Sequence, residues 1–551
     1  MPKLILSALA LAIALPAGWS ARAKTAARRI NAPTLAAHVR FLADDLLEGR
    51  APASRGSELA LRYISSQYER LGLRPAGDDG GWLQRFDIVG MTSDVATPMT
   101  FTAGGKRLAL APRTESILAS GLQAEVASVR DAEVVFVGYG ITAPEQKWDD
   151  YKEDVRGKVV LVMNNDPETD PNLFAGKRRL YYGRWDYKYA EAARHGAAAV
   201  IIIHTDHSAG YPWQVVQSSW TGEQFELPAG GEPRVALKTW ATEDACRRLA
   251  QLGGKNLDEL RAAAEKREFR PVPLGVKMTA ELRTKLARVR TANVLGIVPG
   301  TDPKLKAELV VVTAHHDHLG MRDIPGDNIF NGALDNASGV AAMLNVADAL
   351  TAVEPGPGRS VLFAAVAAEE SGLLGSEFFC EHPIVPAGQI AANVNIDTIN
   401  IWGKTTDVGF VGLGKSTLDD VVIAAAKAQG RTVTGDLQPD RGAFYRSDQF
   451  SFAKIGVPAL YLGAGTTHPG HDAEWGRLLH EKFTRERYHQ PSDQIDATWN
   501  LDGAVDDVQL ITVTTLRVAD APRMPEWRKG DEFEAARRKA LGGAGPPPAQ
   551  R

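Results

Sequence analysis

Residues 314–320, AHHDHLG, place three histidines and an aspartate within four positions, directly after the apolar run LVVVT. The chain has only 12 histidines in 551 residues, so three at one strand-like end ask for a chemical reason. In an extended segment alternate side chains face the same way, so His315 and Asp317 cooperate while His316 points elsewhere. A His-x-Asp pair suits an imidazole metal ligand steered by a carboxylate behind it. His316 and His318 have weaker claims. Four more places put metal-binding groups at strand ends or in loops. They are Asp335 in NGALDNASG, Glu369-Glu370 in AAVAAEESG, Asp397 in VNIDTIN and His489 in YHQPSD. Taken singly, each has an ordinary explanation: a helix cap for Asp335, a solvated pair, a turn residue and a surface histidine for the rest. Together they form a set. Imidazole and carboxylate donors suit zinc, and a carboxylate shared between two ions permits a two-metal site. Adjacent glutamates point in different directions, so one can bind metal while the other faces the attacking water. Such chemistry needs no serine or cysteine nucleophile.

These groups must be held by regular elements. From about Thr291 to Ala521, strand-like runs (NVLGIVPG, ELVVVTA, SVLFAAVAA, ANVNIDTIN, VPALYLGAG) alternate with helical ones (GVAAMLNVADAL, LDDVVIAAAKAQG). That rhythm predicts an α/β fold with a mostly parallel central sheet flanked by helices. Ligands in such sheets collect at the carboxyl ends of strands, where the histidine motif stands. Upstream, KVVLVMNN, YKYAEAARHG and AAAVIIIHT read as strand, helix and strand of a smaller α/β block. Its Trp185, Tyr187 and Trp213 read as core more readily than as substrate lining.

The chain divides as follows. Residues 1–23 read as a secretory signal, with Lys3, an apolar stretch and the small-residue motif Ala21-Arg22-Ala23. Residues 31–92 carry two amphipathic helices and begin the main domain. Residues 93–285 form an inserted region whose core spans about 130–265. Residues 286–525 complete the main domain, and 526–551 form a charged, then Gly/Pro-rich, disordered tail. A formal net charge of −4 without long basic or acidic runs argues against nucleic acid or an anionic membrane as partner. No later segment is apolar and long enough to span a bilayer, so no membrane insertion is expected after signal cleavage. Cys246 and Cys380, the only cysteines, read as two buried free thiols rather than a bridge.

The ordered motifs HHD, GALDNASG, EESGLLGS, NID, SDQFSF and YH resemble those of the secreted co-catalytic zinc exopeptidases, which include bacterial leucyl aminopeptidases and glutamate carboxypeptidase II-like proteins. The inserted region is similar to the protease-associated domain of many members. The resemblance implies two zinc ions, with His315, Asp335 and Asp397 holding one and Asp335, Glu370 and His489 the other. It also implies Glu369 as general base and Asp317 as the partner orienting His315. The implied activity is a secreted aminopeptidase, periplasmic or extracellular, acting on peptides. A carboxypeptidase or dipeptidase on the same scaffold is the alternative. A glutaminyl cyclase or an inactive receptor-like protein fits less well, because the two-metal set is intact. Arg441 and Arg446, in PDRGAFYRSDQF, keep the carboxypeptidase alternative open as a carboxylate clamp, although they read first as loop arginines in surface ion pairs.

Overall fold

The computed structural model describes residues 15, 16 and 18–542; most of the leader and the Gly/Pro-rich end lie outside the described residues. The described residues open with the α-helices α1 (Ala21–Ala27), α2 (Ala32–Leu42) and α3 (Arg55–Arg70). Their N-caps Ser20, Asn31 and Ser54 each accept a backbone N–H of the first turn. The cleavage point expected after Ala23 falls inside α1. Just before it, Trp19 is buried and its indole N–H donates to the Ala425 carbonyl, while Arg22 pairs with Asp520 at 2.6 Å. A chain starting at Lys24 would lose the helix cap and both contacts. The folded part therefore reaches back at least to Trp19, upstream of the expected boundary.

The strands follow: β1 (Leu83–Ala103), β2 (Ser116–Ser120), β3 (Val126–Phe136) and β4 (Val159–Met163). After α4 (Trp185–Arg194) come β5 (Ala199–His204), α5 (Trp213–Ser219), β6 (Leu237–Thr242) and β7 (Val272–Val298). The site-bearing part holds β8 (Leu309–His315), α6 (Ser338–Thr351), β9 (Ser360–Val366), β10 (Ile390–Asn395), β11 (Asp407–Val411), β12 (Thr432–Gly435), β13 (Ala459–Gly463), α7 (Asp502–Asp520) and α8 (Glu534–Gly542).

One sheet runs through the molecule in the order β12-β11-β13-β10-β8-β9-β7-β3-β4-β5-β6-β2. It contains two parallel blocks. In one, β8 lies parallel to β9 and β10, and β10 to β13. In the other, β3, β4, β5 and β6 are parallel. The antiparallel ribbon of β1 and β7 joins the two. Residues 294–298 of β7 pair with β9, whereas its first part pairs with β3. The domain boundaries expected at 93 and 285 therefore cut through two long strands. What separates the blocks is packing, not a linker. Each builds its own hydrophobic core: around α6, α7, α1 and α2 in the first, around β3–β6 in the second. Every residue of β8, β9 and β10 is buried, which explains their largely apolar sequences; the buried Asn393 and Asn395 of β10 are hydrogen-bonded.

The region from 526 is not a disordered tail as far as residue 542. Trp527 and Phe533 are buried against Phe444 and Phe450, and the Trp527 indole donates to the Gly456 carbonyl at 2.9 Å. Arg537 on α8 is buried and donates to the Ile390 carbonyl, and Lys415 pairs with Asp531 and Glu532 at 2.8 and 2.9 Å. The charged composition hides a few apolar anchors. Cys246 and Cys380 are both buried and free.

Candidate metal centre

Three parallel strands end side by side, and the donors leave from those ends. His315 closes β8, Glu369 and Glu370 follow β9, and Asp397 follows β10. Asp335 stands in the turn entering α6, and His489 in the loop before α7. His315 Nε2 lies 3.2 Å from Asp335 Oδ1 and 3.5 Å from Asp397 Oδ1. Asp335 Oδ2 lies 3.2 Å from His489 Nε2, which is also 3.0 Å from Glu370 Oε2. One carboxylate thus turns an oxygen to each of two donor groups. His318 belongs to the second group: its Nδ1 is 2.6 Å from Glu370 Oε1, and its ring meets that of His489 edge-on.

Electrostatics make this cluster costly as it stands. Burial opposes charge on His315, but the carboxylates around it, Glu369 first, hold its pKa well above the usual value. Burial likewise works against His489, yet Glu370 and Asp335 push it up to about 10. Burial should raise Asp335, but His315 and His489 keep it well below the ordinary carboxylate range. Glu370, buried too, is drawn down to about 2 by His489 and His318 despite Asp335. Glu369 differs. Burial, joined by Glu370 and Asp397, holds it well above the normal range against the pull of His315.

The donor set fits metal cations. His315 Nε2, both nitrogens of His318, His489 Nε2 and Glu370 Oε1 are buried and make no well-formed hydrogen bond, a state that costs free energy unless another partner is provided. Tetrahedral ligands about 2.0–2.1 Å from an ion sit roughly 3.3 Å from one another. The contacts of 3.0 to 3.5 Å around Asp335 match that spacing.

A second layer holds the donors. Asp317 accepts the backbone N–H of Glu369 at 3.1 Å and of Glu370 at 3.3 Å. His315 Nδ1 lies 3.3 Å from the Asp317 carbonyl and 3.7 Å from its carboxylate. Asp493 accepts the N–H groups of Leu334 and Asp335, both at 3.0 Å, and burial pushes its pKa up to about 6. Asn336 ties the Asp335 turn to the Asp397 turn by donating to the Ile396 carbonyl and accepting from Thr398 N–H. Arg50, fully buried, donates to the carbonyls of His316, Leu42, Asn331 and Gly332. Gly332 has φ +56°, and a Cβ there would lie 2.5 Å from the His318 ring, so only glycine lets this loop pass.

Residues 293–513 match peptidase family M28. That match is a likeness of this part of the chain to the family. The aminopeptidase YwaD of Bacillus subtilis is 26% identical over 377 residues, 65% of this chain and 63% of that protein. The aminopeptidase NAALADL1 of Rattus norvegicus is 25% identical over 288 residues, 44% of this chain and 36% of that protein. The chain thus spans less than two thirds of these relatives' own length. An aminopeptidase structure from Aneurinibacillus sp. strain AM-1 superposes with a TM-score of 0.51 at 20% identity, covering 91% of this chain and 97% of that one. That likeness bears on the fold: a mostly parallel α/β sheet with flanking helices.

Within the M28 segment, every residue expected from the sequence converges: His315, Asp317, Asp335, Glu369, Glu370, Asp397 and His489. Of the two histidines with weaker claims, His318 touches Glu370, whereas His316 Nε2 faces the Ala292 carbonyl at 3.1 Å. Among the described residues, Arg441 and Arg446 form no surface ion pairs; they line a cavity that reaches Glu369. Arg50, Asp493 and Ser219 were missed. Ser219, from α5 of the inserted block, places its Oγ 2.8 Å from His489 Nδ1. Asp493 stood in the quoted YHQPSD, but nothing local in sequence marks Arg50 or Ser219. Of the aromatic residues weighed, Tyr187 is core, while Trp185 and Trp213 are partly buried and Trp185 lines the same cavity.

Proposed function

We propose that the protein is an exported aminopeptidase that uses two zinc ions to hydrolyse N-terminal residues from peptides. The observation that carries this reading is Asp335, with one oxygen toward His315 and Asp397 and the other toward His489 and Glu370. His315, Asp335 and Asp397 would hold one ion; Asp335, Glu370 and His489 the other. The YwaD and NAALADL1 relatives are named as aminopeptidases, which supports the activity, and the imidazole and carboxylate donors suit zinc.

When bound, zinc polarises the scissile carbonyl and lowers the pKa of the attacking water towards about 7. The chain's own residues do the rest. Glu369 takes the water proton and delivers it to the departing amine as the C–N bond breaks. Asp317 fixes the peptide units of Glu369 and Glu370, so base and ligand keep their relative placement. The carboxylates of Glu369 and Asp397 suit a free α-amine, which favours cleavage from the N-terminus. The inserted block, of protease-associated type in this reading, covers and shapes the cleft. The leader that would direct export lies mostly outside the described residues; among these, no helix is long and apolar enough to cross a membrane.

The test is a blocked-substrate panel with zinc-reconstituted protein. Aminoacyl-anilides should be hydrolysed, N-acetylated counterparts should not, and metal analysis should give two zinc ions per active chain. Cleavage of the acetylated series, or full activity with a single ion, would overturn the reading.

A further inference from the structure

A cavity of about 110 Å³ opens beside Glu369, Glu370 and His489, between the inserted block and the M28 segment. Four arginines line it: Arg179, Arg184, Arg441 and Arg446. Like charges gathered in a cleft repel one another and lose hydration, so their convergence needs a cause. Three of them are anchored by consecutive carbonyls at the end of the short helix Asp206–Ala209. Arg179 Nη1 donates to Ser208 at 2.6 Å, Arg446 Nη2 to Ala209, and Arg441 Nη1 to Gly210 at 3.4 Å. Helix-terminal carbonyls lack partners within the helix and carry partial negative charge, so they suit this task. Each anchor takes one N–H of a guanidinium and leaves the others free. Arg446 also lies over the Tyr211 ring at 5.2 Å.

One of these charges is paired and three are not. Arg184 pairs with Asp186 at 3.1 Å. Among the described residues, Arg179, Arg441 and Arg446 form no ion pair with a carboxylate. Arg179 is 5% exposed, yet its Nε and Nη2 have no partner, and Asp166 and Asp440 act on it only from a distance. Burial lowers the pKa of Arg179 to about 10 and also lowers that of Arg446. A planar anion with two oxygens is the natural partner of such forks.

We infer that the arginine-lined end of this cavity binds a carboxylate of the substrate, so that the enzyme prefers short peptides bearing one just beyond the scissile bond. Two sources share that chemistry: the terminal carboxylate of a dipeptide or tripeptide, and an acidic side chain on the second residue. The inference rests on the aminopeptidase reading and narrows its substrate class.

The experiment compares Leu-Phe, Leu-Phe-amide and Leu-Glu-amide with the zinc-loaded protein, using leucyl-anilide as reference. Charge-assisted hydrogen bonds predict kcat/KM for Leu-Phe at least about tenfold above Leu-Phe-amide. If Leu-Glu-amide matches Leu-Phe, the side chain also serves as the anion; if it matches Leu-Phe-amide, only the terminal carboxylate does. In either case Arg446→Gln and Arg441→Gln should collapse the acid-to-amide ratio towards one, with Arg446→Lys keeping part of it. Equal kcat/KM for all three peptides in the unaltered protein, which requires no variant to fold, would overturn the inference while leaving aminopeptidase activity standing. If neither peptides nor the anilide are cleaved, the functional reading fails. Calorimetry on Leu-Phe and Leu-Phe-amide then decides the arginine site alone: tighter binding of the acid supports it, and equal binding refutes it.

Discussion

Asp335 serves both donor groups, so replacing it is felt on both sides. Asp335→Asn keeps size but removes the charge that the two proposed zinc ions would share. Zinc retained after gel filtration should fall at both positions, with affinity lower by at least about tenfold; loss of one ion with the other untouched would mean that the carboxylate does not bridge. Glu369→Gln leaves the ligands in place but cannot accept a proton. Turnover should drop roughly 100-fold or more while zinc content holds, as activity assays and metal analysis on the same sample would show. Ser219→Ala removes the hydrogen bond at His489 Nδ1. Losing such an outer partner typically costs about 10- to 100-fold in metal affinity, and a chelator competition titration reads it directly.

At the scale of elements, the central strands were legible because they are buried on both faces and write largely apolar runs, as LVVVT and SVLFAAV do. His315, Glu369, Glu370 and Asp397 were legible because each stands at or just beyond the end of such a strand, whereas Asp335 and His489 stand in loops and were legible only through their motifs. The ends of the chain were not. Trp527 and Phe533 sit in a sequence dominated by charge, and their packing depends on Phe444 and Phe450, some 80 residues earlier. Likewise, the Ala21-Arg22-Ala23 motif carries no local sign that Trp19 reaches Ala425. The tail should contribute to stability: Trp527→Ala removes an indole that is 5% exposed and the cap it places on Gly456. The expected cost is about 3–5 kcal/mol, measured by chemical denaturation; a midpoint unchanged from the parent protein would return the segment to a loose tail.

Across the whole molecule, two separately packed blocks share one sheet through the β1–β7 ribbon, and the centre is completed where they meet. The M28 segment supplies the donors and Glu369. The inserted block supplies Ser219 to His489 and Arg179 and Arg184 to the adjoining cavity. Sequence motifs revealed the first contribution and not the second, because contacts across 100 to 270 residues leave no spacing to read. The central claim is that this assembly removes residues from the amino end of peptides. Incubating the zinc-loaded protein with Leu-Gly-Phe and weighing the first products by mass spectrometry tests it most directly. The account predicts free leucine with Gly-Phe; free phenylalanine with Leu-Gly would contradict it and make the enzyme a carboxypeptidase.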